Sequence, residues 1–264
     1  MISFLRHLAS GLSFLTLIPV SSKPAAAENP GLDLGKALYT FPLVGLIVGA
    51  ISVAFAWLAS VSFGPPMHII FALAASAVVT AGLHLDGLAD SGDALLSWRS
   101  RERKLEIMKD SRVGVMGVLS LILIFVIKGG ALIALGEFWW IGVLLAPAWG
   151  RWAALYGIQW FPTAAKDGLA ADVGGSRRCA QFWIGSSYLL IGSVAFLIWK
   201  DNWFAAILVP IGVWFSIQEC ARAMTKSLGG LTGDTYGALS EIGEAATLLM
   251  LCASIRWQAS LPFG

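Results

Sequence analysis

Residues 37–61 read ALYTFPLVGLIVGAISVAFAWLASV, twenty-five consecutive residues without a charge. As an α-helix this run is about 37 Å long, enough to cross the roughly 30 Å hydrocarbon core of a bilayer. A helix also satisfies its own backbone hydrogen bonds where no water is present. Working outward, six further runs of similar character follow at 67–85, 113–135, 138–161, 182–199, 203–220 and 237–256. Composition agrees. Hydrophobic residues make up 57% of the 264 residues, charged residues only 13%, and the mean hydropathy is +0.76; soluble domains carry about 25% charged residues. Too little polar surface is available to clothe a soluble globule. The expected fold is an all-α, polytopic membrane helix bundle of about seven transmembrane helices, forming one integral membrane domain over 1–264.

The N-terminal stretch 2–18 is apolar but interrupted by Arg6 and His7. A secretory signal places its basic residues ahead of the apolar region, so Ala25-Ala26-Ala27 is not read as a cleavage site. The stretch is expected to be a retained helix at the membrane interface. A polar connection follows from Ser21 to Pro30. Pro147 and Arg151 mark a kink in the 138–161 span.

Charge between the spans gives an orientation. Arg99, Arg101, Arg103, Lys104, Lys109 and Arg112 fall in one connection, Lys166, Arg177 and Arg178 in another, and Arg222 and Lys226 precede a third. The intervening turns at 62–66, Glu137 and Lys200-Asp201-Asn202 are short and poor in basic residues. The positive-inside rule places the basic connections, and the N-terminus, in the cytoplasm. Seven spans then put the C-terminus outside. Trp139, Trp140, Trp160, Trp199 and Trp203 lie near predicted ends, as an interfacial aromatic belt does. A net charge of +2 and the lack of a basic stripe with interleaved aromatics exclude nucleic acid as a partner. Cys179, Cys220 and Cys252 are isolated and odd in number, which argues for buried thiols rather than disulfides or a zinc site.

Three polar stretches share the cytoplasmic side. The first is His84-Leu85-Asp86-Gly87-Leu88-Ala89-Asp90-Ser91-Gly92-Asp93. On a helix Asp90 lies about 40° from Asp86 and Asp93 about 20° to the other side, so three carboxylates share one face. Without a cation they repel one another and take up protons. Oxygen-only ligands suit a hard ion such as Mg²⁺, which keeps positions open for phosphate oxygens. The second, Lys109-Asp110-Ser111-Arg112-Val113-Gly114, offers cations for phosphate, or an internal Asp110–Arg112 pair. It follows an amphipathic run from Arg99 that fits an anionic lipid surface. The third runs Gly229-Gly230-Leu231-Thr232-Gly233-Asp234-Thr235-Tyr236-Gly237-Ala238-Leu239-Ser240-Glu241. Its glycines allow a phosphate-binding nest, and Asp234 and Glu241 fall within about 20° on a helix face. Glu244 drifts off that face. Lys128 and Arg151 lie inside spans, where a charge is costly, and either snorkels, pairs with a carboxylate or serves function. Lys166-Asp167-Gly168 reads as a turn. No nucleophile elbow or catalytic triad is present, so the pattern points to phosphoryl-type transfer with carboxylates holding a cation.

Taken together, Phe14 to Val20, Phe41-Pro42-Leu43-Val44-Gly45, Leu83 to Asp93, Met108 to Gly114 and Gly229 to Glu241 resemble the cobalamin synthase family (adenosylcobinamide-GDP ribazoletransferase) over nearly the whole chain. The resemblance implies an integral membrane enzyme of the cell (inner) membrane, with its site facing the cytoplasm. It implies that GDP-activated adenosylcobinamide is joined to α-ribazole, or to its 5′-phosphate, with Mg²⁺ required and GMP released. On that basis Asp86, Asp90, Asp93 and Asp234 are expected to hold Mg²⁺. Lys109 and Arg112 would neutralise the leaving group, with His84, Gly230, Thr232 and Gly233 as further substrate contacts. Asp110 or Glu241 would accept the proton of the attacking hydroxyl. The bilayer is the expected surroundings, and the resemblance leaves room for an oligomer or for association with other corrinoid-pathway enzymes. The chain departs from the family pattern at Leu17, where Arg is common, at Ala94, where Gly is common, and over Thr163 to Gly168, where an Arg usually precedes the Asp-Gly step. Two other classes share parts of this pattern. A CDP-alcohol phospholipid head-group phosphotransferase also clusters Asp residues, but has Ala-Arg after its Asp-Gly step where this chain has Leu88-Ala89. A cation-coupled secondary transporter sets such residues near mid-membrane between repeats.

Overall fold

The computed structural model describes residues 2–18, 20, 34–64, 66–164 and 179–259. The Ser21–Pro30 connection, Lys166-Asp167-Gly168, Arg177 and Arg178 lie outside them. Among the described residues the chain is helical, with no strand beyond one isolated bridge between Thr163 and Leu231. The helices are α1 (Ile2–Leu15), α2 (Leu34–Ala37), α3 (Phe41–Phe63), α4 (Met67–Val79), α5 (Leu83–Leu95), α6 (Arg101–Ile107), α7 (Val115–Ala134), α8 (Trp139–Trp160), α9 (Cys179–Trp199), α10 (Trp203–Leu228) and α11 (Gly233–Ala259).

Among the described residues five segments are long and apolar enough to cross a membrane, Leu34–Phe63, α7, α9, α10 and Gly233–Gln258, and the bent pair α4–α5 makes a sixth if it is read as one broken span. The count of seven is therefore not reproduced. The largest departure is at 67–85, expected as one straight span. Ala81 (φ 52°) and Gly82 (φ 68°) are left-handed, which ends α4 after thirteen residues and starts α5 at 89° to it. Thirteen residues reach only about 20 Å, short of a full crossing. The consequence for the site is direct, because α5 turns out of the spanning direction and carries the acidic stretch into the helix junction.

The bundle is arranged around α8 and α11. From Ile141 to Gln159 nearly every residue of α8 is buried, as expected of a helix surrounded on all sides. It runs unbroken through Pro147. Close backbone approach holds α3 to α8: a Cβ on Gly45 would strike the Pro147 backbone and one on Gly49 that of Leu144. Outward faces carry Trp57, Val61, Val126, Ile191, Ile211 and Phe215, all exposed, an apolar exterior suited to lipid. Lys128, Arg151, Glu241 and Glu244 are instead buried inside, where a soluble protein seldom places charge. Trp139 and Trp160 bound α8, Trp199 ends α9 and Trp203 starts α10, where the aromatic belt was expected. All three cysteines are free, but none is buried as expected: Cys179 is exposed and Cys220 and Cys252 are half-buried.

Candidate active site

Each part of the site is placed by a local feature of the sequence. Gly82 adopts the left-handed backbone that the turn into α5 requires. His84, Gly87, Leu88, Ala89, Ser91 and Gly92 are buried on α5, whereas Asp86 is exposed and Asp90 and Asp93 are half-buried. The acidic stretch is helical, as its periodicity predicts. Against it lies α11. A Cβ on Gly87 would come within 2.6 Å of the Asp234 carbonyl oxygen, and one on Gly237 within 3.3 Å of the His84 backbone. The two helices therefore meet backbone to backbone, and Asp234 in the first turn of α11 comes beside Asp86 and Asp90. Reciprocal bonds cap that turn: the Thr232 amide donates to Thr235 Oγ1 (2.7 Å) and the Thr235 amide to Thr232 Oγ1 (3.3 Å).

The electrostatics record the crowding. Burial, then the charges of Asp86, Asp234 and Asp93, push the Asp90 carboxyl up to about 6. Four carboxylates thus bear on one point, and a cation there would relieve their repulsion. Among the described residues no three carboxylate, imidazole or thiol groups close around a metal by themselves. Mg²⁺ takes carboxylate oxygens and is commonly completed by water and phosphate oxygens. The donors are all carboxylate oxygens, so the residues fit.

Asp93 has a different engagement. Its Oδ2 accepts from the Gly114 amide (2.6 Å) and its Oδ1 from the Gly117 amide (2.8 Å). It caps the N-terminus of α7 from a neighbouring helix, satisfying amides left open at a helix start.

Asp86 stands where two cavities meet. One, of about 220 Å³, is lined by Phe14, Phe41, His84, Arg151, Asp234 and Tyr236, with Gly233 and Gly237 at the α11 end. The other, of about 710 Å³ and more open, is lined by Thr16, Thr80, Leu83, Asp86, Ala89 and Val113. The α1 end is tied in by the Leu17 amide, which donates to the Val79 carbonyl (2.8 Å).

The remaining expected residues are dispersed. Asp110 and Arg112 pair with each other, Arg112 Nη2 donating to Asp110 Oδ2 at 2.6 Å and Nε to Oδ1 at 3.0 Å. The guanidinium holds the Asp110 carboxyl down at about 2, so it is a feeble base near neutrality. Lys109 is exposed. Glu241 is buried and ion-paired to Lys128, which also bonds Glu244 at 2.6 Å. Of the alternatives open for Lys128 and Arg151, pairing with carboxylates holds, since Arg151 also bonds Glu244. The Gly229–Gly230 turn is stitched to the chain beside it: the Leu231 amide donates to the Pro162 carbonyl (2.7 Å) and the Ala164 amide to the Leu231 carbonyl (2.8 Å). Gly229 is left-handed at the end of α10 (φ 78°). Arg101 Nε donates to the Leu228 carbonyl there (2.6 Å), and Lys104 Nζ to Ser227 Oγ (2.8 Å). The amphipathic helix α6 is thus docked on α10.

The profile of the family described as cobalamin-5-phosphate synthase matches residues 7–252. This chain belongs to that family. Among the relatives, the adenosylcobinamide-GDP ribazoletransferase of Herpetosiphon aurantiacus is 42% identical over 254 residues, 96% of this chain and 99% of its own. That of a Roseiflexus species is 41% identical over 94% of this chain and 89% of its own. That of Escherichia coli is 34% identical over 91% and 96%. No solved structure matches. These matches favour neither the phospholipid phosphotransferase nor the transporter reading.

Proposed function

We propose that this protein is an adenosylcobinamide-GDP ribazoletransferase, joining GDP-activated adenosylcobinamide to α-ribazole or its 5′-phosphate in the cell membrane, with the site open to the cytoplasm. Family membership supports the reaction, and one observation supports the place: Asp86 stands where two cavities meet, with Asp90 and Asp234 beside it. A two-substrate transfer needs such a junction. The narrower cavity, walled by Phe14, Phe41 and Tyr236, suits the flat base of the nucleoside acceptor. The wider one suits the bulky activated donor.

In the reaction a ribose hydroxyl of the acceptor attacks the cobinamide phosphorus. A P–O bond forms, the P–O bond to GMP breaks, and the hydroxyl proton passes to a base. Asp86 and Asp234 are placed to hold Mg²⁺, which when bound would neutralise charge on the pyrophosphate. Asp90, the neighbouring carboxylate, is left as the proton acceptor. The expected roles of Asp110 and Glu241 pass to it, because one is locked to Arg112 and the other to Lys128. Asp93 steadies the start of α7 under the site. Arg112, next to Val113 of the wider cavity, and Lys109 are exposed, where their charge would attract the anionic donor.

The test is GMP release by the purified protein in detergent from the GDP-activated cobinamide and α-ribazole, with and without Mg²⁺. Formation of a cobamide with equal GMP supports the reading. Absence of both in a folded preparation would overturn it.

A further inference from the structure

The seam that brings the site together is made of small residues. Gly87 meets the backbone at Asp234, Gly237 meets that of His84, and six residues further on Gly243 lies against Gly150 and Ala153 of α8. Such a seam allows close approach but offers little interlocking shape, so by itself it does little to resist a slide of α11 along its own axis.

Resistance comes from charge. Glu241 and Glu244 of α11 are both 5% exposed, as is Lys128 of α7, and Arg151 of α8 is 1% exposed. Lys128 Nζ bonds both glutamates, at 2.6 Å to Glu244 Oε2. Arg151 Nη1 bonds the other oxygen of Glu244, and its Nη2 lies 3.5 Å from His84 Nδ1 on α5. One network therefore spans α5, α7, α8 and α11. Sliding α11 by one turn, about 5.4 Å, would strand two carboxylates and two cations in an apolar interior, the arrangement proteins tolerate least. Glu241 is two helical turns from Asp234, so fixing one fixes the height of the other.

We propose that Lys128, Glu241, Glu244 and Arg151 are positioning residues that lock the axial register of α11, holding Asp234 level with Asp86 and Asp90. The proposal rests on the reading of those three carboxylates as the reacting site. It separates from a plain stabilising role because a buried ion pair replaced whole by neutral groups of similar shape is commonly tolerated in stability.

The test uses the full-length protein in detergent with Lys128→Met/Glu241→Gln, which removes one cation and one anion together, and Lys128→Arg, which keeps the cation. The expected double variant inserts and melts close to the wild type. Its half-saturating Mg²⁺ rises roughly 10- to 100-fold, as when a group orienting a ligand is lost, and Lys128→Arg restores most of this. Backbone amides of 233–240 exchange hydrogen faster in the double variant, while those of 246–255 do not. An unchanged Mg²⁺ requirement with unchanged exchange would overturn the proposal. Failure of the double variant to insert would also overturn it, since the network would then be holding the bundle together. If wild-type turnover needs no divalent cation, the reading of the site has failed, and the exchange measurement alone decides the register.

Discussion

Replacing Gly87 with Ala adds a methyl group at the α5–α11 crossing, where its carbon would stand 2.6 Å from the Asp234 carbonyl oxygen and 3.0 Å from its Cα. Ordinary contact begins at 3.4 Å, so the helices must separate by about 0.8 Å. The obstruction is backbone, which cannot rotate away as a side chain would. Overpacking of this kind costs about 1–3 kcal/mol, while Ala in place of Gly within a helix returns about 1 kcal/mol, leaving stability lowered by roughly 0–2 kcal/mol. The separation falls on Asp234 relative to Asp86 and Asp90, and a misplacement near 1 Å can cost about 10²-fold in rate. Turnover in detergent should therefore fall about a hundredfold with only a small drop in melting temperature. Gly130→Ala is the control: nothing lies within 4 Å of that position, so activity should hold and stability should stay level or rise. Gly87→Ala turning over within a few-fold of wild type would refute the argument that this crossing sets the carboxylate geometry.

Three more outcomes follow from the same geometry. Because the Asp90 carboxyl is raised to about 6, the metal-free folded protein should lose stability as pH climbs from about 4 through 6 and Asp90 gives up its proton; Mg²⁺ should then raise the melting temperature at pH 7.5 but little at pH 5, as thermal scans of tryptophan emission would show. Asp93→Ala removes both side-chain acceptors from the start of α7, so melting should fall by the equivalent of about 1–2 kcal/mol, with Mg²⁺-dependent turnover kept; loss of turnover, or a sharply raised Mg²⁺ requirement, would instead make Asp93 a ligand. Lys128→Met alone leaves Glu241 buried without its cation and should cost about 3–5 kcal/mol, read as a large melting shift or poor insertion.

Much of the fold was legible because the bilayer imposes a simple rule. Runs such as 37–61 are long and uncharged, and α3, α7, α9 and α10 stand where hydropathy places them. The 67–85 run misled for a physical reason. Ala81 and Gly82 turn the chain within an apolar stretch, and hydropathy carries no information about φ. The acidic cluster was legible from its period on α5, and its tie to Asp234 from the second acidic pair, since each is local. Which carboxylate does what was not. Asp93 is committed by amides twenty-odd residues away on α7, and Glu241 by Lys128 on another helix, both long-range pairings that spacing alone does not reveal. Glu244, which falls off the Asp234 face, turned out central to the buried network because α8 and α7 approach α11 from that side. The one available clue was the cost of Lys128 and Arg151 within apolar runs, which required acidic partners somewhere in the bundle.

The proposed seat of the transfer is Asp86 and its neighbours. It is tested most directly by measuring GMP release from GDP-activated cobinamide and α-ribazole in wild type and Asp86→Asn, each purified and melting alike. Asp86 is exposed, so the amide should leave the fold intact. Stoichiometric GMP and cobamide are expected from the wild type, and at least a roughly 10²-fold loss in the variant. Equal GMP release by the two proteins would contradict it.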